Sequence, residues 1–501
     1  MELVLRAFFV ICGLELLLWL PTAWHLRKFA AWSLIAANSV ILVALLVVQL
    51  KLWAALVAVI GIYRLINLYR ILRDRTQPDY LYHSSKRTAL WLIGSQIIVM
   101  SIAWITSYVN ANQLALFYLL TAGQVGCGMV LLASTLRHIR TTEPPVLTKV
   151  HADKDLPSLT VAIPARNETI ELEACLKSLI ASSYPKLEIL VLDDCSQNKH
   201  TPEIMRSFAH DGVRFIAGQE PPDKWLAKNY GYHQLAEASS GELLLFCGVD
   251  VRFEPRSLNT LVETLLHKQK SMISLLPSNP TPASWGLTRL ITQPNRYAWE
   301  LALPRRLFRR PPVLSTCWLV TRQALQASGG FAAVSRQTVP ESYFARQIAN
   351  TSDGYSFLQS STIMGVSSHK SAEEQQATAI RTRYPQLHRR LEMTLLVSLA
   401  EFTALVWPLI IFAASLLAQE WALAALAGLA WLLQSLAYSQ IVNLTYRQFL
   451  LSGTWLVSLA ALHDIWLLNY SMWQYEFSEV IWKGRNICIP VMRVIPNLPK
   501  A

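Results

Sequence analysis

The sequence predicts an α/β domain, built on a mostly parallel sheet, inserted between two groups of membrane-spanning helices. Three observations lead there. Long apolar segments crowd residues 1–140 and 391–501. Between about 150 and 390 the pattern changes to short β-branched runs alternating with amphipathic helical stretches, as strand–helix units require. The apolar runs also end in polar clusters, such as Arg166-Asn-Glu168 and Asp193-Asp194. Open α/β sheets collect their ligand sites at such strand ends.

Composition agrees with this division. Of 501 residues, 52% are hydrophobic and 16% are charged. That is too apolar for an ordinary soluble enzyme and fits a membrane protein with one soluble domain. The net charge of +12 follows from topology, because Lys and Arg gather on the cytoplasmic side and face anionic lipid headgroups. It gives no ground for a nucleic-acid partner. The seven cysteines are odd in number and none forms a Cys-x-x-Cys pair, which points to unpaired thiols in a reducing compartment and no zinc site.

Five apolar segments open the chain, at about 3–20, 30–50, 53–70, 89–108 and 113–135. Each approaches the ~20 residues that cross a bilayer. The first lacks a small-residue cleavage site and carries Glu2 near Arg6, so it reads as a span rather than a signal peptide. The loops after the first, third and fifth segments are basic: His25-Leu-Arg-Lys28, the stretch 70–87, and Arg137-His-Ile-Arg140. The alternate loops hold little charge. By the positive-inside rule the N-terminus lies outside, and the domain at 150–390 lies in the cytoplasm of a multi-pass cell-membrane protein.

In that domain, strands are expected at 159–164, 187–192, 213–216 and 243–247, and helices near 169–182, 226–239 and 255–267. Pro221-Pro222 and Pro311-Pro312 mark loops. A basic run from Arg381 to Arg390 then meets apolar segments at about 393–417, 421–443 and 449–470. Three full crossings would leave Trp482-Lys-Gly-Arg485 outside, and one re-entrant segment would return it to the cytoplasm; two and three spans both remain open. Glu15, Glu401, His463 and Asp464 fall within apolar segments. Ionisable residues at membrane depth are functional candidates, with solvation at an interface as the plainer alternative.

Four motifs occur in order: Ile163-Pro-Ala-Arg-Asn-Glu168, Asp193-Asp-Cys-Ser196, Lys224-Trp-Leu-Ala-Lys-Asn229 and Val249-Asp-Val-Arg-Phe253. Together they resemble family 2 glycosyltransferases of the GT-A fold. The likeness is closest to membrane-bound hopanoid-associated and carotenoid lipid glycosyltransferases, with some likeness to ceramide glucosyltransferases. It covers about 159–385, and Trp482-Lys-Gly-Arg485 also resembles the family's end. The resemblance implies a nucleotide sugar, of the UDP type, as donor and a membrane lipid as acceptor, with inversion and one sugar per lipid.

Residue by residue, the resemblance makes Asp193 and Asp194 ligands of base and ribose, as carboxylates accept from N–H and O–H groups. Turn formation or helix capping is the plainer role for Asp and Ser at such a place. Pro164, Arg166, Asn167 and Glu168, at the first strand's exit, are expected at the nucleotide, with Arg166 offering a planar fork to phosphate. Lys228 stands at a helix start, where the dipole disfavours a cation unless an anion is bound; Ala227 replaces the glycine that usually precedes it, and Trp225 belongs to the same motif. Asp250 is the expected metal position, for Mg2+ or Mn2+ held with diphosphate oxygens. Gly248 stands where the family usually has a first carboxylate. Inverting transfer needs a carboxylate base. Ser342 occupies its usual place, which leaves Glu341, whose alternative role is that of a first-turn residue favoured by the dipole. Trp225, Arg381 and Arg383 are candidates for diphosphate or acceptor contact, the two arginines alternatively for interfacial anchoring. The Gln-x-x-Arg-Trp signature of processive synthases is missing. A polysaccharide synthase and a non-catalytic nucleotide- or lipid-binding protein are the rival readings.

Overall fold

The structure is a computed structural model. It describes residues 2–19, 26–48, 52–73, 78–108, 113–145, 151–168, 170–279, 294, 297–298, 300–302, 311–350, 354–446 and 455–487. The chain divides into two compact units: Met1–Gln124, Arg383–Gly428 and Ile465–Ser478 form the first, and Val125–Thr382, Leu429–Asp464 and Glu479–Ala501 form the second.

The apolar segments are helices: α1 (Glu2–Leu18), α2 (Arg27–Val48), α3 (Leu52–Arg73), α4 (Pro78–Tyr108) and α5 (Gln113–Thr142). Among the described residues, five helical stretches are long and apolar enough to cross a membrane: Arg27–Ala44, Trp53–Arg73, Leu114–Thr142, Leu391–Leu417 and Trp421–Tyr446. Glu15, flagged as an intramembrane carboxylate, is buried against Arg64, whose Nη2 lies 2.5 Å from Glu15 Oε2 and whose Nη1 donates to Gln96 Oε1 at 2.7 Å. It is a paired helix–helix contact within the first unit.

The second unit contains the sheet. The expected strands are β1 (Leu159–Ala165), β2 (Leu187–Asp193), β3 (Val213–Ala217) and β4 (Leu243–Cys247). The expected helices are α6 (Ile170–Ile180), α8 (Ala227–Ala238) and α9 (Ser257–His267), with α7 (His200–Ser207) between β2 and β3. Beyond them come β5 (Val251–Phe253), β6 (Met272–Leu276), β7 (Cys317–Thr321), α10 (Arg322–Ala327), α11 (Pro340–Ala349), β8 (Tyr355–Gln359), β9 (Val366–Ser368) and α12 (Ala372–Gln386). Among the described residues, seven strands pair in the order β3-β2-β1-β4-β7-β6-β8. Only β7 runs against the others.

Both faces of this sheet are buried, as a largely parallel sheet requires. Side chains alternate across the strands. Val161, Ile163 and Val191 face Leu172, Leu176 and Leu179 of α6 and Leu258, Leu261 and Leu265 of α9. Ala162, Leu190, Leu192 and Phe246 face Tyr232 and Leu235 of α8 and Phe344 and Ile348 of α11. Trp318 stacks on Phe246, with ring centroids 4.4 Å apart, and on Phe344 at 5.9 Å. This aromatic cluster seats α8 and α11, the two helices whose first turns enter the site. At the β8 edge, Gln359 Nε2 donates to Ile139 O at 3.2 Å, and Asn279 N donates to Thr445 O at 2.9 Å. The sheet is thus tied directly to the ends of two apolar helices of its own unit.

Candidate active site

Strand order places the exits of β1, β2 and β4 at one edge, with β1 flanked by crossovers to either side. That is the switch point at which open α/β sheets form a crevice. The reversed strand β7 begins at the same edge, where Thr316 O accepts from Gly248 N at 3.1 Å.

A pocket opens there. Trp225, Lys228, Asn229, Thr338, Glu341, Arg381, Trp482 and Arg485 are among its lining residues. Glu341 lies in the first turn of α11, beside Pro340 at the helix start, where proline's missing N–H costs nothing. It is 2% exposed, and its Oε2 accepts no hydrogen bond, although Lys228 Nζ stands 3.8 Å away. A buried carboxylate oxygen left over in this way is costly unless something else uses it. Lys228 sits at the start of α8 and lies over the Tyr232 ring at 5.4 Å. The loop that leads into α11 is held by Asn229, whose Nδ2 donates to Val334 O, Ser335 O and Gln337 O at 2.7, 3.2 and 2.8 Å.

The β1 and β2 exits are stitched together. Asn167, at a φ of 51°, donates its N–H to Ser196 Oγ at 2.9 Å and accepts from Gln197 N at 2.8 Å. Asp193 Oδ1 accepts from Ser196 N at 3.0 Å, which is the turn-forming role weighed for it above. Arg166 donates through Nη1 to Asp194 O and, at 2.7 Å, to Cys195 O, and through Nε to Lys483 O at 2.9 Å. Its fork is thus engaged by backbone carbonyls. Asp194 Oδ1 is met by Arg485 Nη1 at 2.8 Å, and Glu168 is met by Lys483. Burial raises the Asp194 carboxyl above its usual value, against the pull of Arg485 and Arg166. Pro164 lies within β1, beneath Gly231 of α8.

Asp250 is buried on the turn between β4 and β5. Ser368 Oγ donates to its Oδ2 at 2.6 Å, and His369 N donates to its backbone carbonyl at 2.8 Å. It is not among the residues that line the pocket. A Cβ at Gly248 would stand 2.5 Å from Asp250 Oδ1, so a first carboxylate there would require the Asp250 side chain to turn away from its present position. Among the described residues no group of three or more His, Cys, Asp or Glu side chains is placed to hold a metal. The donor set fits a hard cation only as one carboxylate completed by oxygens from elsewhere, the arrangement in which Mg2+ uses substrate phosphate.

The structure therefore brings together Trp225, Lys228, Glu341 and Arg381. It joins Arg166, Glu168 and Asp194 to a different element, a two-stranded hairpin of β10 (Ile481–Trp482) and β11 (Arg485–Asn486). Arg383 is buried and belongs to the first unit. Asn229, Ser368, Lys483 and Arg485 were not singled out from the sequence. Asn229, Lys483 and Arg485 lie within the sequence motifs, but nothing in the sequence shows what their side chains touch. The thiols of Cys12, Cys127, Cys175, Cys195, Cys247 and Cys317 are unpaired; Cys488 lies outside the described residues.

Comparison with known proteins bears on this edge of the sheet. Residues 160–329 match glycosyl transferase family 2. These residues form a family 2 domain. Glycosyltransferase AglE of Haloferax volcanii is 34% identical over 114 residues, 22% of this chain and 36% of its own. The 4,4'-diaponeurosporenoate glycosyltransferase of Staphylococcus haemolyticus is 30% identical over 122 residues, 24% of this chain and 32% of its own. The chain thus spans about a third of the length of these curated relatives. A mannosyltransferase of Pyrobaculum calidifontis, solved with GDP-mannose and Mn2+, aligns with a TM-score of 0.39 and 16% identity, over 72% of this chain and 97% of its own. The family match and the mostly parallel sheet with one reversed strand agree with the GT-A fold expected for this region.

Proposed function

We propose that the protein is an inverting glycosyltransferase that moves one sugar from a nucleotide-diphosphate donor, of the UDP-sugar class, to a membrane lipid. The observation that carries this reading is Glu341: a buried carboxylate with one oxygen that accepts no hydrogen bond and has only the Lys228 ammonium 3.8 Å away, in a pocket shared with Lys228 and Arg381, within a family 2 domain. Glu341 Oε2 takes the proton from the acceptor hydroxyl. The freed oxygen bonds to the anomeric carbon from the face opposite the diphosphate, the bond from that carbon to the diphosphate oxygen breaks, and the configuration inverts. Lys228 and Arg381 face the charge that grows on the leaving diphosphate. Asp193 and Asp194 bound the nucleoside side. Asp250 is the protein ligand for Mg2+ or Mn2+, which when bound neutralises diphosphate charge.

A lipid acceptor is supported by the five apolar helices and by the attachment of the β8 edge to the ends of two of them. The basic loops support a cytoplasmic domain in a multi-pass cell-membrane protein, facing anionic headgroups. The experiment is the initial rate of nucleoside diphosphate release for wild type and Glu341→Gln, with donor and total membrane lipid in nanodiscs. A general base contributes roughly 10²- to 10⁴-fold, so Glu341→Gln loses that much in kcat while the donor KM changes little. Wild-type kcat in Glu341→Gln removes Glu341 as the base.

A further inference from the structure

The partners of Arg166, Glu168 and Asp194 converge on one short element. Lys483 Nζ pairs with Glu168 Oε1; Arg485 Nη1 pairs with Asp194 Oδ1 at 2.8 Å, and its Nη2 lies 3.2 Å from both oxygens of Glu220. Arg166 Nε donates to the Lys483 carbonyl. The hairpin turns through Lys483 at a φ of 46° and Gly484 at 81°, a left-handed pair that matches the twist of the flanking strands. Gly484 meets the need for positive φ without strain, and Lys483 adopts a conformation that side chains avoid. The segment is thus clamped by ion pairs and a carbonyl contact over three of the residues expected at the nucleotide.

The hairpin also forms a wall of the pocket. Trp482, Arg485 and Asn486 line it together with Lys228, Glu341 and Arg381, and the Arg381 guanidinium lies 5.2 Å over the Trp482 ring. Of the charged residues that line it, Lys228, Arg381 and Arg485 are cations and Glu341 alone is an anion. Asp194 and Glu220 offset the Arg485 charge from behind, and the three cations still line one partly desolvated cleft, where they can hold an anion. The diphosphate of a nucleotide sugar carries two negative charges and gains another as its bond to the sugar breaks, so such a site favours the leaving group over the bound donor.

We propose that the hairpin Ile481–Asn486 is part of the donor site, with Arg485 binding the diphosphate beside Lys228 and Arg381 while Trp482 and Lys483 hold Arg485 in place. This rests on the sugar-transfer reading and adds to it the residues that grip the leaving group. Glu168 and Asp194 then act as positioning residues, which keep the two cations of the hairpin at the rim.

The test is binding of UDP and GDP against UMP and GMP to the full chain in nanodiscs, for wild type, Arg485→Ala and Arg485→Lys. Wild type prefers the diphosphates. Arg485→Ala weakens diphosphate binding roughly 10- to 100-fold, the worth of one charged hydrogen bond, and leaves monophosphate binding within about twofold. Arg485→Lys recovers part of the loss. A hairpin that is only a structural clasp would weaken both classes equally in Arg485→Ala, and that result overturns the proposal. An unchanged diphosphate affinity overturns it as well. Wild-type protein that binds none of the four nucleotides refutes the sugar-transfer reading itself, and the donor-site role with it.

Discussion

Removing the side-chain amide of Asn229 tests whether the loop before α11 is what aims Glu341. The two Nδ2 protons of Asn229 are shared among three carbonyls, Val334 O, Ser335 O and Gln337 O. In Asn229→Ala, Val334 O keeps its bond from Gln337 N at 2.9 Å and Ser335 O keeps its bond from Leu226 N at 2.8 Å, while Gln337 O loses its Asn229 donor. Two lost hydrogen bonds at about 1 kcal/mol each, plus one uncovered acceptor at about 1 kcal/mol, give a loss of about 3 kcal/mol. For a domain of this size that is a fall in Tm of roughly 6–12 °C. Asn229→Asp should be worse, because a carboxylate would face three carbonyl oxygens. Thermal unfolding followed by tryptophan fluorescence reads the stability, and Trp225 and Trp318 lie in the affected core. Activity should fall through kcat, since the freed loop carries Thr338 and leads into Glu341. A Tm within 2 °C of wild type together with an unchanged kcat would refute the reasoning.

Three further outcomes follow from the geometry. Gly248→Asp, which restores the carboxylate common in the family, should lower activity, because its Cβ, 2.5 Å from Asp250 Oδ1, displaces that oxygen while Ser368 holds the other; a gain in rate with Mn2+ would contradict this. Trp318→Ala should cost about 3–5 kcal/mol, read by chemical denaturation of the second unit, since the ring is buried and stacked between Phe246 and Phe344. Burial and the neighbouring Arg166 push Lys483 down to about 8, although Glu168 is in contact with it. Its charge is therefore present below that pH and lost above it. Diphosphate affinity should weaken as pH rises through about 8, and Lys483→Arg, which keeps its charge, should abolish that dependence; an identical pH profile in the variant would exclude Lys483 as its source.

The parts of this protein that could be read from its sequence are those governed by local pattern. Strand β1, with Val161 and Ile163 facing one side and Ala162 the other, and strand β4, buried throughout, announce a covered parallel sheet. The helices α6, α8 and α9 follow from amphipathic spacing. The second half of the sheet did not announce itself: β6, β7 and β8 are five-residue strands separated by long connections, and their order depends on pairings no local pattern records. At the site, residue types were legible and partners were not. Lys228 and Glu341 come within 3.8 Å of each other, a pairing that their places in the sequence did not record. The partners of Arg166 and Asp194 could not be read from strand ends alone, because the hairpin that engages them lies about 290 residues further along the chain than Asp194. Gly248 is readable as a missing carboxylate, but only the structure shows how close Asp250 Oδ1 lies to the place of its absent side chain.

The most direct test of the central claim is mass spectrometry of the lipid product. Wild-type protein and Glu341→Gln, in nanodiscs with total membrane lipid, would each be given UDP-sugars and Mg2+ or Mn2+. The account predicts one lipid class that gains the mass of a single sugar, inverted at its anomeric carbon, with wild type and not with Glu341→Gln. A ladder of added sugars, or nucleotide binding with no change in any lipid, would contradict it.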